Sequence, residues 1–229
     1  MQGLLGGVEV GRQARRLHLG LALAQVHTHV LHTCAALGEA PDGLLERLPR
    51  DVSGEARDIV LALRNLAAIS RSPGRVPRLR IAGAAPAAEL RRHYATAERR
   101  FGVRRSILAA INLVESAFGR VRSASEAGAR GPMQFLPSTW RAYGMGGEID
   151  DPRDAILAAA NYLRRSGAPR DVDRALFAYN HSRSYVRAIR RFAARMRTDE
   201  RVFLALYAWH VYVRTPTGVR RITGPGVGA

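Results

Sequence analysis

The sequence contains no lysine and a single cysteine, Cys34. One thiol excludes an intramolecular disulfide and leaves the redox compartment open. The apolar stretch over residues 202–213 is too short to cross a bilayer as a helix. No segment matches a nucleic-acid-binding motif, and the basic residues are not interleaved with aromatic ones as base stacking requires. Nucleic acid is therefore not expected as a partner.

Arginine dominates the charge. Lysine plus arginine total 36 against 19 acidic residues, so the formal net charge of +17 comes from arginine alone. Arginine without lysine is typical of a GC-rich genome, and a basic protein is attracted to polyanions, which include anionic cell-wall polymers. In the predicted helix over residues 184–197, four arginines lie outside the apolar register: Arg187, Arg190, Arg191 and Arg197. We expect them to form a solvated helix face.

The chain divides into four regions. Residues 1–70 form a basic, largely helical segment with a helix expected over 54–69, and residues 71–86 form a linker rich in proline, glycine and arginine. Residues 87–200 are nearly all helical, with Asp151 and Asp171 as predicted N-caps. In residues 201–229, alternating polarity followed by the turn Pro216-Thr-Gly218 favours a small β-hairpin before a disordered tail. The predicted fold class is mainly α.

Glu115 is the most informative residue. A helix is predicted over residues 103–118, ending at Gly119, and Glu115 lies on the same apolar stripe as Leu108 and Ile111. Burial and the negative end of the helix dipole both raise a carboxyl pKa, which suits a general acid. Judged from this helix alone, Glu115 could equally lie at the edge of the stripe and pair with an arginine.

Two later segments place polar groups beside aromatic ones. Residues 128–140 predict a turn at Gly131-Pro132, an extended Met133-Gln134-Phe135, and a helix begun by Pro137 with Ser138 or Thr139 as its cap. The Gln134 amide could bind a sugar hydroxyl or an acetamido group at the wall of a cleft. Ala178-Tyr-Asn180 would place a second ring and amide at a helix end.

In this order, the three segments resemble the successive motifs of the lytic transglycosylases, whose catalytic domain is related to goose-type lysozyme. The segments are Glu115-Ser-Ala-Phe, Gly131-Pro-Met-Gln-Phe-Leu-Pro-Ser-Thr and Ala178-Tyr-Asn180. The resemblance covers about residues 90–196, a little under half of the chain, and implies a lysozyme-like helical catalytic domain. The chain departs from the common pattern at Glu126, where a small or polar residue is usual, and at Arg104-Arg105, which replace Asp-Pro or similar.

The resemblance also implies roles for individual residues. Glu115 corresponds to the family's single catalytic acid/base. The residues implied to position or bind substrate are Ser116, which helps to orient the glutamate, Met133 and Gln134, which line the glycan groove, and Tyr179 and Asn180, which close the site over the reacting sugar.

The implied substrate is the glycan strand of peptidoglycan. Most glycosidases use two carboxylates, but no second one falls inside these motifs. By resemblance, Glu115 would protonate the oxygen between N-acetylmuramic acid and N-acetylglucosamine and then take the proton of the muramyl 6-hydroxyl. The product would carry a 1,6-anhydro ring, no metal or organic cofactor would be needed, and the enzyme is expected to act as a monomer.

Two alternatives stay open. A goose-type-like muramidase would hydrolyse the same bond with a loop acid as the second carboxylate; the candidates are Glu126, Glu148, Asp150 and Asp151. A non-catalytic module would bind glycan or, through its charge, nucleic acid. Glu115 together with a complete third motif argues against such a module.

Peptidoglycan lies outside the membrane, so a cell-envelope or extracellular location is expected. The N-terminus carries no clear export signal: the arginines of residues 12–16 precede a short apolar run, and Cys34 ends a degenerate lipoprotein box. A misassigned start or an ordinary amphipathic helix is favoured instead. Of the histidines near Cys34 only His29 and His32 share a helical face, which indicates surface residues rather than a metal site.

Overall fold

A computed structural model of the chain describes residues 50–69, 79–125, 127–209, 212–215 and 218–221. Within them the fold is helical apart from one small hairpin and two isolated bridges, as the predicted fold class requires. The helices are α1 (Arg50–Ala67), α2 (Ala87–Phe101), α3 (Arg105–Ser116), α4 (Pro137–Tyr143), α5 (Pro152–Arg165), α6 (Val172–Tyr179), α7 (Arg183–Thr198) and α8 (Glu200–Tyr207), and the strands are β1 (Tyr212–Thr215) and β2 (Gly218–Arg221).

The helix that carries Glu115 lies at the centre of the fold. α3 contacts α2, α5 and α7, and every residue from Ser106 to Ser116 is buried. The single apolar stripe predicted for this helix is therefore too narrow a description, because a helix enclosed on all sides is buried around its whole circumference. Its polar side chains must find partners inside the protein.

α3 ends earlier than the sequence predicts. The helix stops at Ser116, and Ala117, Phe118 and Gly119 follow with φ of 50°, 62° and 82°. The Ser116 hydroxyl accepts a hydrogen bond from the Gly119 N–H at 2.8 Å, and the Phe118 N–H reaches back to the Asn112 carbonyl at 3.0 Å. The side chain of Ser116 thus turns the chain before the glycine is reached, with two non-glycine residues in the left-handed region.

Two helices of the catalytic region begin at a predicted N-cap residue, and one does not. Asp151 accepts from the Asp154 N–H and Asp171 from the Arg174 N–H, each at 2.9 Å, which confirms both predicted N-caps. The predicted cap at Ser138 or Thr139 is wrong. Pro137 is itself the first residue of α4, so both hydroxyl residues lie inside the first turn and Leu136 is the cap position.

The helix before the linker packs on the same core. Leu63 and Leu66 of α1 are fully buried among the residues of the other helices, chiefly against α7. Asp58 of α1 accepts from Arg191 Nη1 and from Arg195 Nε, each at 2.6 Å. Arg191 was predicted to lie on the solvated face of α7, but its guanidinium instead binds Asp58 and so links α7 to α1.

The strands β1 and β2 pair antiparallel, with Tyr212 opposite Arg221, where the sequence predicts a hairpin. No helix among the described residues is long and apolar enough to cross a membrane. The features predicted in residues 1–49, including the export signals and the histidines near Cys34, lie outside the described residues, as do Glu126 and the first half of the linker, residues 71–78.

Candidate active site

A cleft opens beside the C-terminal end of α3. Its free space is about 450 Å³ when the adjoining open solvent is included. Glu115 lines it together with side chains from α4, α5, α6 and the loop between α3 and α4: Ala127, Ala129, Gln134, Phe135, Leu136, Thr139, Tyr162, Tyr179 and Asn180. The cleft thus combines one carboxyl with two amides, two phenols and an apolar wall, which is the composition of a site for a polar ring such as a sugar.

The carboxyl of Glu115 is buried and held. The residue is 6% exposed, and its Oε1 accepts a hydrogen bond from the Tyr185 hydroxyl at 2.9 Å. Tyr185 lies in the first turn of α7 and is fully buried. A hydroxyl that donates to one carboxyl oxygen holds the carboxyl group in one orientation beside the cleft.

Two further polar side chains of α3 hold the adjoining turn. Asn112 Nδ2 donates to the Pro132 carbonyl at 2.9 Å, and the Ser116 hydroxyl donates to the same carbonyl at 2.6 Å. Asn112 Oδ1 in turn accepts from the Tyr94 hydroxyl at 2.6 Å. Burial raises the pKa of the Tyr94 phenol well above its usual range, so the phenol remains a donor. This network ties α2, α3 and the turn together beneath the cleft.

Residues 131–134 form a tight turn rather than the predicted extended segment. Arg130 and Phe135 close it through N–H to carbonyl hydrogen bonds of 2.8 and 2.9 Å. Gly131 has φ of 74°, and a Cβ built there would lie 1.9 Å from the Ile149 carbonyl oxygen. Glycine is required at this position for two reasons: the backbone conformation is left-handed, and the next loop approaches too closely for a side chain.

Gln134 ends this turn in the left-handed region, with φ of 52°. Its Nε2 donates to the Gly131 carbonyl at 2.9 Å, which fixes the orientation of the amide. The residue is 8% exposed, and its Oε1 has no hydrogen-bond partner in the described part of the chain. An unpaired buried acceptor costs about 1–3 kcal/mol, so this oxygen is a candidate acceptor for a ligand N–H or O–H.

Three of the four other predicted acids do not line the cleft, and the fourth, Glu126, lies outside the described residues. Asp150 pairs with Arg130 at 2.8 Å, Asp151 caps α5, and Glu148 is exposed. Glu115 is the one carboxylate that lines the cleft among the described residues, which do not include Glu126. The same residues hold no group of three histidine, cysteine or acidic side chains that could bind a metal ion.

Comparison with known families agrees with this geometry. Residues 93–202 match the family model of the transglycosylase SLT domain. The chain contains a lytic transglycosylase-type domain. No curated protein and no solved structure matched the chain. The SLT match begins within α2 and ends within α8, so it includes all the cleft residues, and it supports a peptidoglycan lytic transglycosylase-type activity in general.

The SLT domain brings four of the six predicted site residues to the cleft: Glu115, Gln134, Tyr179 and Asn180. The remaining two lie beneath it. Met133 is fully buried in the core, and its carbonyl accepts from the Tyr179 hydroxyl at 2.6 Å. Ser116 is fully buried and bound to the Pro132 carbonyl. Neither side chain lines the cleft, which differs from the prediction that Met133 lines the groove; Ser116, predicted to help orient Glu115, is next to it in the sequence and holds the adjoining turn.

Sequence reasoning missed Tyr185 as a site residue of the SLT domain. Its spacing from the other apolar residues of α7 predicts an ordinary core residue, and its ring is fully buried. A buried tyrosine still needs a partner for its hydroxyl, but nothing in the local sequence indicates that the partner is Glu115, 70 residues earlier. Tyr162 was also missed; it lines the cleft and donates to the Ala178 carbonyl at 2.8 Å.

The turn of the second motif is expected to tolerate no side chain at Gly131. We expect Gly131→Ala to lower the free energy of unfolding by about 3 kcal/mol or more, because left-handed strain of about 1–2 kcal/mol adds to a backbone clash. Gly128→Ala is the matched control: φ is 77°, yet nothing lies within 4 Å of the added Cβ. Urea unfolding of both variants measures the difference, and equal losses would contradict the close approach.

Proposed function

We propose that this protein cleaves the β-1,4 bond between N-acetylmuramic acid and N-acetylglucosamine in peptidoglycan and leaves 1,6-anhydro-muramyl ends. The observation that carries the proposal is Glu115, a buried carboxyl held by Tyr185 and the one carboxylate lining the cleft among the described residues. A single carboxylate among the described residues of the cleft favours a reaction in which the substrate supplies the second functional group.

In the first step Glu115 acts as the general acid. Burial disfavours the charged form of a carboxyl, which keeps a proton available for transfer. Glu115 gives this proton to the bridging oxygen as the bond from that oxygen to the muramyl anomeric carbon breaks. The carbonyl oxygen of the neighbouring acetamido group stabilises the positive charge that develops on the ring.

In the second step the same residue acts as the general base. The ionised Glu115 takes the proton of the muramyl 6-hydroxyl while the 6-oxygen bonds to the anomeric carbon. The proton lost in the first step is thereby recovered, and no water is consumed. Tyr185 donates to the carboxylate throughout, which favours the ionised intermediate state and holds the group in one orientation.

Three residues around the carboxyl are proposed to position the sugar. The unpaired Oε1 of Gln134 suits the acetamido N–H, because the amide is already oriented by its bond to Gly131. Tyr179 and Asn180 lie at the end of α6 on the same cleft. The Tyr179 hydroxyl donates to the Met133 carbonyl, so the contact proposed with the sugar is through the edge of its ring.

Hydrolysis by a muramidase mechanism is supported less well. It needs a second carboxylate placed to activate water. Of the four candidates, Glu148, Asp150 and Asp151 do not line the cleft, and Asp150 and Asp151 are bound to other groups. The fourth, Glu126, lies outside the described residues and is tested by substitution below. The proposed substrate lies outside the cytoplasmic membrane, so we also propose that the protein works in the cell envelope or outside the cell.

Removal of the transferable proton is expected to stop catalysis. Glu115→Gln keeps the shape of the side chain, so we expect peptidoglycan cleavage to fall by about a hundredfold or more, with sedimentation binding to peptidoglycan retained. Glu148→Gln, an exposed position outside the cleft, is the control for the lost charge and should cleave at the wild-type rate. Activity of Glu115→Gln within about tenfold of wild type would remove the residue from the mechanism.

Tyr185 is expected to act on rate more than on binding. We expect Tyr185→Phe to lower kcat by about tenfold with KM nearly unchanged, since the ring stays and only the bond to Glu115 is lost. A donated hydrogen bond favours the ionised carboxylate, so its loss should move the high-pH limb of the kcat profile to higher pH. Tyr207→Phe loses a comparable bond, to the Ala85 carbonyl, away from the cleft. If both variants show the same pH profile, Tyr185 is structural only.

The reaction products separate the two enzymes. If the 6-hydroxyl closes the reaction, muramyl products are lighter than hydrolysis products by one water and lack a reducing end. Alanine at each loop acid, Glu126, Glu148, Asp150 or Asp151, should then change the rate only modestly. Mass spectrometry of digested peptidoglycan measures the mass of the muramyl products. Mainly reducing ends, together with one loop-acid variant as damaged as Glu115→Gln, would assign the protein to the muramidases.

A further inference from the structure

A second groove lies at the opposite end of α3 from the cleft. Two neighbouring cavities share Arg104, Ser106 and Arg197 in their walls, and we call them together the arginine groove. No residue of the arginine groove lines the cleft. At a rise of about 1.5 Å per residue, Ser106 lies about 14 Å from Glu115 along the helix axis. Both sites can therefore be occupied at the same time.

The arginine groove has more arginines than acidic residues to pair with them. Seven arginines and four acidic residues line it. Three arginines pair inside it: Arg91 with Glu200, Arg105 with Glu98, and Arg190 with Asp173. The remaining acid, Asp171, caps α6. Four exposed arginines have no ion pair with any described residue: Arg92, Arg104, Arg170 and Arg197.

The start of α3 adds to this excess. Arg104 is its cap position and Arg105 its first residue, with no side-chain cap and no acidic residue in the first turn. Cations at the positive end of a helix dipole are unfavourable, and the free N–H groups of the first turn favour an anion. Within the protein only the Arg105–Glu98 pair offsets this arrangement among the described residues. An external anion would offset the rest.

We propose that the arginine groove binds a phosphodiester polymer of the cell wall, of the polyol-phosphate class. Four unpaired arginines spread over two cavities suit repeated charges on one chain better than a single ion. The planar guanidinium binds phosphate through two parallel hydrogen bonds. The aromatic rings of the groove, Tyr94 and Phe203, are 2% and 5% exposed, so they offer no surface on which the bases of a nucleic acid could stack.

The proposal rests on the proposed function, because such polymers meet the enzyme only where peptidoglycan does. It adds a second contact with the wall. The polymer holds the protein at one end of α3 while the cleft at the other end acts on a neighbouring glycan strand. Attachment through a second site raises the local concentration of substrate at the cleft without changing the chemistry there.

Binding of lipid-free poly(glycerol phosphate) to the full chain, followed by fluorescence anisotropy over a range of salt, tests the proposal. The wild type should bind, with affinity falling as salt rises. Arg104→Gln/Arg197→Gln should weaken binding by about tenfold or more and flatten the salt dependence. The control Arg99→Gln/Arg165→Gln removes the same charge from exposed positions outside both cavities and should bind nearly as the wild type does.

Two further measurements distinguish a loss of polymer binding from a loss of stability and from a loss of catalysis. Arg104→Gln/Arg197→Gln should cleave polymer-free glycan at the wild-type rate, and its Tm should be unchanged or higher. Glu115→Gln should bind the polymer normally, so a failure of the proposed chemistry leaves the binding result independent. The proposal would be overturned if the wild type did not bind the polymer or if the control variant were weakened equally. It would also be overturned by a lower Tm with unchanged binding, or by equal affinity for a polynucleotide of matched charge.

Discussion

The structure depends on the need to satisfy three polar side chains in the C-terminal half of a buried helix. α3 is enclosed along Ser106–Ser116, yet its C-terminal half carries Asn112, Glu115 and Ser116. Buried polar groups without partners are costly, so each neighbouring element has to supply one. The Tyr94 hydroxyl of α2 donates to Asn112, and the Tyr185 hydroxyl of α7 donates to Glu115. The Pro132 carbonyl accepts from both Asn112 and Ser116. The packing of the helices around α3 is thereby specified by hydrogen bonds as well as by apolar contact.

This requirement also sets the relation between the carboxyl and the amide of the cleft. Because two side chains of α3 bind the Pro132 carbonyl, the turn that ends at Gln134 cannot move independently of Glu115. Gly131 permits the turn to approach the Ile149 carbonyl, which holds it from the other side. The cleft is therefore preorganised by groups that do not line it, and this is how Met133 and Ser116 contribute.

Local rules of helix formation are broken at both ends of α3. At the C-terminal end two non-glycine residues adopt left-handed conformations directly after Ser116, and at the N-terminal end arginines occupy positions that favour acidic residues. Such conflicts between local preference and the final structure concentrate at functional sites, where tertiary contacts or ligands compensate for them. The cleft and the arginine groove lie at these two ends.

The sequence alone determined the features that arise within a few residues. The aspartate caps of α5 and α6 and the helical fold class could be predicted because capping and periodicity are local. The motifs containing Glu115, Gln134 and Asn180 were identified by their resemblance to those of a known family. Contacts between distant segments decided the rest. Met133 and Gln134 are adjacent, but one enters the core and the other lines the cleft, because the turn geometry is fixed by Ile149 and by α3. Tyr185 reads as an ordinary core residue of α7, and it reaches Glu115 only when α7 packs against α3. Burial of a side chain and the identity of its partner depend on which elements meet, and that is a property of the tertiary structure.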